Sequence, residues 1–195
     1  MVETEVKIRF GGTPGEAVRL IERCGFSVSL PRVLEVDQIY DRDSGELRAA
    51  DQLLRLRRSG ATATVTYKGP ATREKYKSRE EIEFRVDDPD AFELVLERLG
   101  YQPRFRYEKY RTIFREAGGK GIVTLDETPI GVFLELEGEA QWIDASAARL
   151  GFSHAEYCTL SYAAVYREYL QKNQSAPANM VFDTGRKPEA PKKDT

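Results

Sequence analysis

The chain has 195 residues, 41% hydrophobic and 32% charged, with 30 Lys+Arg against 32 Asp+Glu for a net charge of −2. That length predicts one domain with room for a tail; 10 Tyr, 9 Phe and one Trp argue against disorder, and the charge balance excludes a polyanion binder acting by net charge while leaving room for a local basic pocket. The absence of a long apolar run or secretory start, two cysteines (Cys24, Cys158) and a single histidine (His154) point to a cytoplasmic protein with reduced thiols, without a disulfide scaffold, a histidine-rich metal site or most forms of histidine catalysis.

In chain order, a period-two strand over 2–10 precedes a helix over 14–24. Strands follow over 36–41, 53–58, 62–68 and 79–86, then a helix over 89–99. Strands over 105–115, 121–126 and 132–137 come next, then helices over 142–150 and 155–171. Thr13-Pro14 and Asp88-Pro89 are start signals, because proline is pre-organised for the first helical position. Cys24-Gly25-Phe26, Leu99-Gly100-Tyr101 and Leu150-Gly151-Phe152 are stop signals, each a glycine free to turn left-handed before an aromatic that packs back. From Asn173 onward the pattern dissolves, so the reading is a working domain over 1–172 and a disordered polar tail over 173–195, with no function given to Met180-Val181-Phe182.

Alternate side chains of a strand point to opposite faces, and sorting by parity separates the charges. Glu3, Glu5, Lys7 and Arg9 oppose Val6 and Ile8; Arg55 and Arg57 oppose Leu54 and Leu56. Thr66 and Lys68 oppose Val65 and Tyr67, and Arg79, Glu81, Glu83 and Arg85 oppose Ile82 and Phe84. Lys109 and Arg111 alternate with Tyr110 and Thr112, and Phe133, Glu135 and Glu137 with Leu134 and Leu136. A half-solvated sheet is the plain explanation. Yet the polar face carries full charges rather than Ser, Asn or Gln, with Glu-x-Glu pairs on some strands and Arg-x-Arg or Lys-x-Arg on others. Side chains two apart lie about 7 Å from each other on one face, so paired glutamates repel unless a cation sits between them. Oxygen-only clusters suit Mg²⁺ or Mn²⁺, and paired Arg and Lys suit phosphate oxygens. Closing the sheet with this face inward gives the predicted fold: α+β, a closed or nearly closed antiparallel eight-stranded β-barrel with a charged interior and helices packed outside.

Glu3-x-Glu5-x-Lys7 at the N-terminus resembles the E-x-E-x-K signature of the CYTH superfamily, the triphosphate tunnel metalloenzymes. The likeness continues through Asp37-Gln38-Ile39-Tyr40-Asp41, Leu54-Arg55-Leu56-Arg57, Thr66-Tyr67-Lys68-Gly69, Arg79-Glu80-Glu81-Ile82-Glu83, Lys109-Tyr110-Arg111, Leu125-Asp126-Glu127 and Gly131-Val132-Phe133-Leu134-Glu135-Leu136-Glu137. It spans about 2–165 and stands nearest the branch labelled class IV adenylyl cyclase. The resemblance implies that Glu5, Glu135 and Glu137, with Glu3, hold a divalent ion, Mg²⁺ or Mn²⁺, and that Glu81, Glu83 and Asp126 are further acidic ligands. It implies a grip on the triphosphate by Lys7, Arg55, Arg57, Lys68, Arg79, Lys109 and Arg111, with Lys7 and Lys68 nearest the chemistry and a glutamate or Tyr40 as base. Lys75 and Lys77 read either as a lid at the tunnel mouth or as a solvated loop, and Phe105, Tyr107 and Phe133 as contacts at a tunnel end.

The implied activity is a metal-dependent reaction on a triphosphate: cyclisation of ATP to cyclic AMP and pyrophosphate, or hydrolysis releasing orthophosphate. The alternatives are a non-catalytic nucleotide or polyphosphate binder and an RNA-binding module. The expected partner is a small-molecule triphosphate, with no nucleic acid and no membrane, and a homodimer remains open.

Overall fold

Eight strands close on one another. In the computed structural model, which describes residues 2–183, the elements run β1 (Val2–Phe10), α1 (Pro14–Arg23), β2 (Ser27–Asp41), α2 (Glu46–Ala49), β3 (Leu53–Ser59), β4 (Thr62–Lys68), β5 (Thr72–Arg73) and β6 (Lys77–Arg85). They continue with α3 (Pro89–Arg98), β7 (Gln102–Arg115), β8 (Ile122–Thr128), β9 (Gly131–Glu137), α4 (Ala140–Arg149), β10 (Tyr157–Cys158) and α5 (Tyr162–Lys172). Among the described residues the barrel order is β1–β9–β8–β7–β2–β3–β4–β6 and back to β1, antiparallel throughout. The closing edge of β1 is shared: Val2–Glu5 pair with β6, and Lys7 and Ile8 pair with Cys158 and Tyr157 of β10.

The apolar parity faces outward, and the helices cover much of it, leaving Ile82 and Phe84 of β6 exposed. Val6, Ile8, Val123, Leu125, Leu134 and Leu136 pack with Ala17 and Ile21 of α1 and Ile143 and Ala147 of α4. A second outer cluster sets Leu56 and Val65 against Leu96 of α3. Each fully buried aliphatic side chain here contributes on the order of 1.5–3 kcal/mol. Stability therefore resides between wall and helices, which lets the inner face carry charge.

The helix signals act as the sequence predicts. Thr13 and Glu16 form a reciprocal capping box at α1, and Asp88 accepts from the Ala91 N–H at 2.9 Å at α3. Gly25, Gly100 and Gly151 adopt φ of 83°, 82° and 87°, and the N–H of Phe26, Tyr101 and Phe152 each reaches back to a carbonyl of the last turn.

Three expectations change. The strand expected at 36–41 begins at Ser27, because β2 passes Pro31 by irregular pairing, its register on β7 jumping between Leu30 and Val33. The helix expected over 155–171 begins only at Tyr162; the residues before it form a short 3₁₀ turn and then β10 on β1. The chain also stays attached past 172: Met180 is fully buried, bridges Tyr107 in parallel, and exchanges backbone hydrogen bonds with Arg106 and Glu108 at 3.0 and 2.8 Å. Three apolar residues in a polar segment are enough because the barrel offers Tyr107, Tyr162 and Tyr166 to receive Met180. Residues 184–195 of the expected tail lie outside the described residues.

Candidate active site

The inner face encloses a cavity of about 280 Å³. Eight cations line it (Lys7, Arg55, Arg57, Lys68, Lys77, Arg79, Lys109 and Arg111), together with six glutamates: Glu3, Glu5, Glu81, Glu83, Glu135 and Glu137. Three more acids, Glu35, Asp37 and Asp126, are buried in the wall behind the cations. The charges nearly cancel, so an anionic ligand gains little from net charge and must be held by the arrangement.

On the side built by β2, β3, β7 and β8, every acid is committed to cations. Asp126, with no exposure, accepts from Lys109 Nζ at 2.8 Å, from Arg111 Nε and Nη2 at 2.7 and 2.6 Å, and from the Tyr162 hydroxyl at 2.7 Å. Asp37 takes a bidentate pair from Arg57 at 2.8 and 3.2 Å and faces Arg55 Nε at 3.3 Å. Burial works against the Asp37 carboxylate, but Arg57 and Arg55 outweigh it and hold its pKa below the usual range. Glu35 lies 3.0 Å from Arg57 and 3.5 Å from Lys109. Burial, with Arg111 beside it, lowers the Lys109 pKa despite Asp126. These acids fix the direction of each guanidinium and ammonium before any ligand arrives.

The side built by β1, β6 and β9 is crowded with carboxylates. Burial, the hydrogen bond to Glu81 and the nearby Glu5 and Glu137 push the Glu3 carboxyl up to about 8, against the pull of Lys68. Burial and the neighbours Glu5 and Glu135 likewise raise Glu137, with Arg111 opposing. Glu5 goes the other way: burial opposes ionisation, but Lys77 and Lys7 bring it to about 2. Lys7 pairs with Glu135, which Arg111 also grips, Lys68 pairs with Glu81, and Lys77 with Glu5. Burial opposes the Lys7 ammonium, yet Glu135 and Glu5 hold its pKa above the ordinary lysine value.

The barrel gathers the predicted residues into one space with one exception. Tyr40 is on the outer wall; its hydroxyl donates to Glu93 of α3 at 2.5 Å and its ring joins the cluster with Leu56 and Leu96, so it does not line the inner cavity. Asp126 faces inward while Leu125 joins the outer core and Glu127 pairs with Arg32 outside. Lys77 is inside on β6, neither lid nor solvated loop, whereas Lys75 binds Asp144 of α4 at 2.6 Å outside. Phe133 and Tyr107 pack around Tyr162, and Phe105 stacks on Tyr107.

Sequence reasoning gave no site role to Glu35, Asp37 or Tyr162. Glu35 and Asp37 share the parity of Ile39 on β2, a signal present in the alternation. Tyr162 enters from a helix, where strand parity says nothing; its ring lies 4.1 Å from Lys7 Nζ and 5.0 Å from Lys109 Nζ.

The glutamates offer oxygen donors only, the chemistry a hard divalent ion takes, and the crowding of Glu3, Glu5 and Glu137 is the repulsion such an ion relieves. Among the described residues no three His, Cys, Asp or Glu side chains converge on one point as they stand. Glu135, Glu81 and Glu5 are paired with Lys7, Lys68 and Lys77, so gathering an ion there means turning these side chains. The donor set fits; its present rotamers favour internal ion pairs.

A CYTH-domain family model matches residues 1–150. A Methanocaldococcus jannaschii protein described as a candidate adenylate cyclase is 28% identical over 137 residues, 70% of this chain and 77% of the relative. A Pyrococcus horikoshii protein, PH1819, is 27% identical with a TM-score of 0.71, covering 86% of this chain and 99% of its own. A candidate adenylate cyclase from Vibrio parahaemolyticus superposes at a TM-score of 0.75 with 21% identity, over 86% of this chain and 98% of its own. A Hippeastrum adenylyl cyclase candidate described as having a dominant triphosphatase activity gives 0.65 with 19% identity, over 86% and 96%. The last two likenesses concern the fold alone. Among the described residues no helix is long and apolar enough to cross a membrane.

Proposed function

The chain belongs to the CYTH-domain family, and on that premise we propose that it is a divalent-metal-dependent enzyme cleaving a phosphoanhydride bond of a triphosphate held inside the barrel. One observation carries the reading: eight cations line a 280 Å³ cavity together with six glutamates, among which Glu3 and Glu137 are crowded by acidic neighbours. A binder of anions alone gains nothing from those glutamates.

Phosphoryl and nucleotidyl transfer need positioning and charge neutralisation more than a special nucleophile. Arg55, Arg57, Lys109 and Arg111 would present donors to successive phosphate oxygens, aimed by the Asp37, Glu35 and Asp126 carboxylates behind them. Lys7, Lys68 and Arg79 would hold the part of the chain nearest the glutamates. Glu3, Glu5, Glu135 and Glu137 would hold Mg²⁺ or Mn²⁺, which supplies neutralisation of phosphate oxygens and polarisation at phosphorus. With water as nucleophile the β–γ bond breaks, giving orthophosphate and a diphosphate. With a ribose 3′-hydroxyl the α–β bond breaks and pyrophosphate leaves.

The test is a product-resolved assay of ATP, thiamine triphosphate and tripolyphosphate with Mg²⁺ or Mn²⁺, separated by anion exchange. Orthophosphate identifies a triphosphatase, and cyclic AMP with pyrophosphate a cyclase. Glu137→Gln abolishes either. Triphosphates that bind equally with and without metal and are never consumed contradict the proposal and mark a non-catalytic binder.

A further inference from the structure

The barrel wall has a gap along β7. Over Tyr110–Phe114 this strand lies between β2 and β8. Before Tyr110 it keeps β2 on one edge, and among the described residues no barrel strand pairs with the other. The chain after α5 occupies that free edge. The Met180 N–H donates to the Arg106 carbonyl at 3.0 Å, and the Glu108 N–H donates to the Met180 carbonyl at 2.8 Å. The Arg106 N–H donates to Asn179 Oδ1 at 2.9 Å, and the Phe182 N–H to Glu108 Oε2 at 3.2 Å. From α5, the Tyr166 hydroxyl donates to the Pro177 carbonyl at 2.6 Å and lies 3.1 Å from that of Asn179. Backbone groups that would otherwise need water are thereby satisfied. The segment lies beyond residues 1–150, so the family match does not account for it.

Met180 is its anchor. The side chain is fully buried and packs with Tyr107, Tyr162 and Tyr166. Two of these rings also line the inner cavity, Tyr107 and Tyr162, with centroids 5.8 Å apart. Tyr107 stands among the cations: burial and Asp37 raise its pKa, while Arg55 and Arg57 oppose them. Tyr162 carries Lys7 Nζ 4.1 Å and Lys109 Nζ 5.0 Å from its ring centre, and its hydroxyl donates to Asp126 at 2.7 Å. One thioether thus backs two aromatic side chains whose other sides meet the phosphate-gripping groups.

Resting on the triphosphate reading above, we propose that the segment after α5 is a working part of the active site, in which Met180 is a positioning residue. It holds Tyr107 and Tyr162 in place, and through them Arg55, Lys7 and Lys109. An unbranched thioether can fill the irregular space between three rings. Closing the free edge of β7 also keeps water from the aromatic cluster, and a drier wall strengthens each ion pair behind it. Loosening the segment lets the rings shift, and cations displaced by a fraction of an ångström grip a phosphate chain less well.

The experiment measures consumption of ATP and tripolyphosphate with Mg²⁺ by the full chain, as wild type, Met180→Ala, Met180→Leu and Tyr166→Phe. Amide hydrogen exchange at Arg106 and Glu108 reports whether the segment stays on β7. Met180→Ala is expected to speed that exchange and to raise KM by about tenfold, with kcat changed by less than about threefold. Met180→Leu, similar in volume, restores both constants to within about twofold of wild type. Tyr166→Phe removes the hydroxyl that ties the segment to α5 while sparing the barrel, and shifts exchange and KM in the same direction by a smaller factor. A filler that matters for folding alone would lower the urea midpoint and leave KM untouched. Faster exchange with KM and kcat both within about twofold of wild type therefore overturns the positioning role while the triphosphate reading stands. Exchange unaltered in both Met180→Ala and Tyr166→Phe also overturns it, since Met180 would then not hold the segment. No consumption and no calorimetric binding of either compound by the wild type overturns the triphosphate reading, and this proposal with it.

Discussion

The two sides of the tunnel solve the burial of charge in opposite ways. Around β2, β3, β7 and β8, each acid carries its cations: Asp126 holds Lys109, Arg111 and the Tyr162 hydroxyl, and Asp37 holds Arg57. Around β1, β6 and β9, Glu3 and Glu137 are raised by burial and by one another's neighbours. On the first side every acid is ion-paired without a ligand; the second improves when a cation arrives. Pre-aimed donors cost no reorganisation when a phosphate binds, which is where electrostatic catalysis gains most.

The largest expected contrast is in stability. Asp126→Ala takes from buried Lys109 and Arg111 their shared carboxylate, leaving them only Glu35 and Glu135, and should lower the unfolding free energy by about 3 kcal/mol in urea titrations. Glu137→Gln, which removes a crowded carboxylate, should leave the metal-free protein as stable as wild type or more so. A cost below about 1 kcal/mol for Asp126→Ala would erase the distinction between the two sides. Next comes activity. Arg55→Ala removes a donor aimed into the cavity and should lower kcat/KM by about 10²–10³-fold.

The sequence reveals much of this and misses particular parts for physical reasons. Alternation alone separates Glu3, Glu5 and Lys7 from Val6 and Ile8, because a barrel wall has a dry face and a charged one. Asp126 reads poorly by parity only because its neighbour Glu127 is also acidic; the pairing of Glu127 with Arg32 on the outside resolves it. Tyr40 sits in a charged motif yet faces α3, since a tyrosine can bury its ring on the outer wall and satisfy its hydroxyl on Glu93. Tyr162 and Met180 come from beyond the strands, and their roles depend on long-range docking that no local period encodes.

A smaller effect is a pH dependence. Glu3 binds its proton more tightly in the folded chain, at about 8 against a model-peptide value of 4.5, so its contribution to metal-free stability is full below about 4.5 and lost as pH rises through 8. The melting temperature of the wild type relative to Glu3→Gln should therefore fall across that window; a constant difference would show that Glu3 is not crowded.

The smallest lies outside the tunnel. Asp144 accepts from Lys75 at 2.6 Å, Tyr76 at 2.8 Å and Tyr157 at 3.1 Å, tying the 70–77 loop and β10 to α4. Despite some desolvation, those donors lower its pKa to about 2, so its contribution is present above about 3.8 and lost as pH falls through 2. Asp144→Asn should cost about 1 kcal/mol or less at neutral pH, read by urea denaturation, because the group is partly exposed and screened.

The most direct measurement is a calorimetric titration of tripolyphosphate into the wild type and Glu137→Gln, each with and without Mg²⁺. A crowded glutamate side completed by a divalent ion predicts that Mg²⁺ tightens binding to the wild type by about tenfold or more, equivalent to about 1.4 kcal/mol, and does little for the variant. Equal affinities in all four titrations would contradict it: the glutamates would then take no part in holding a metal–triphosphate pair.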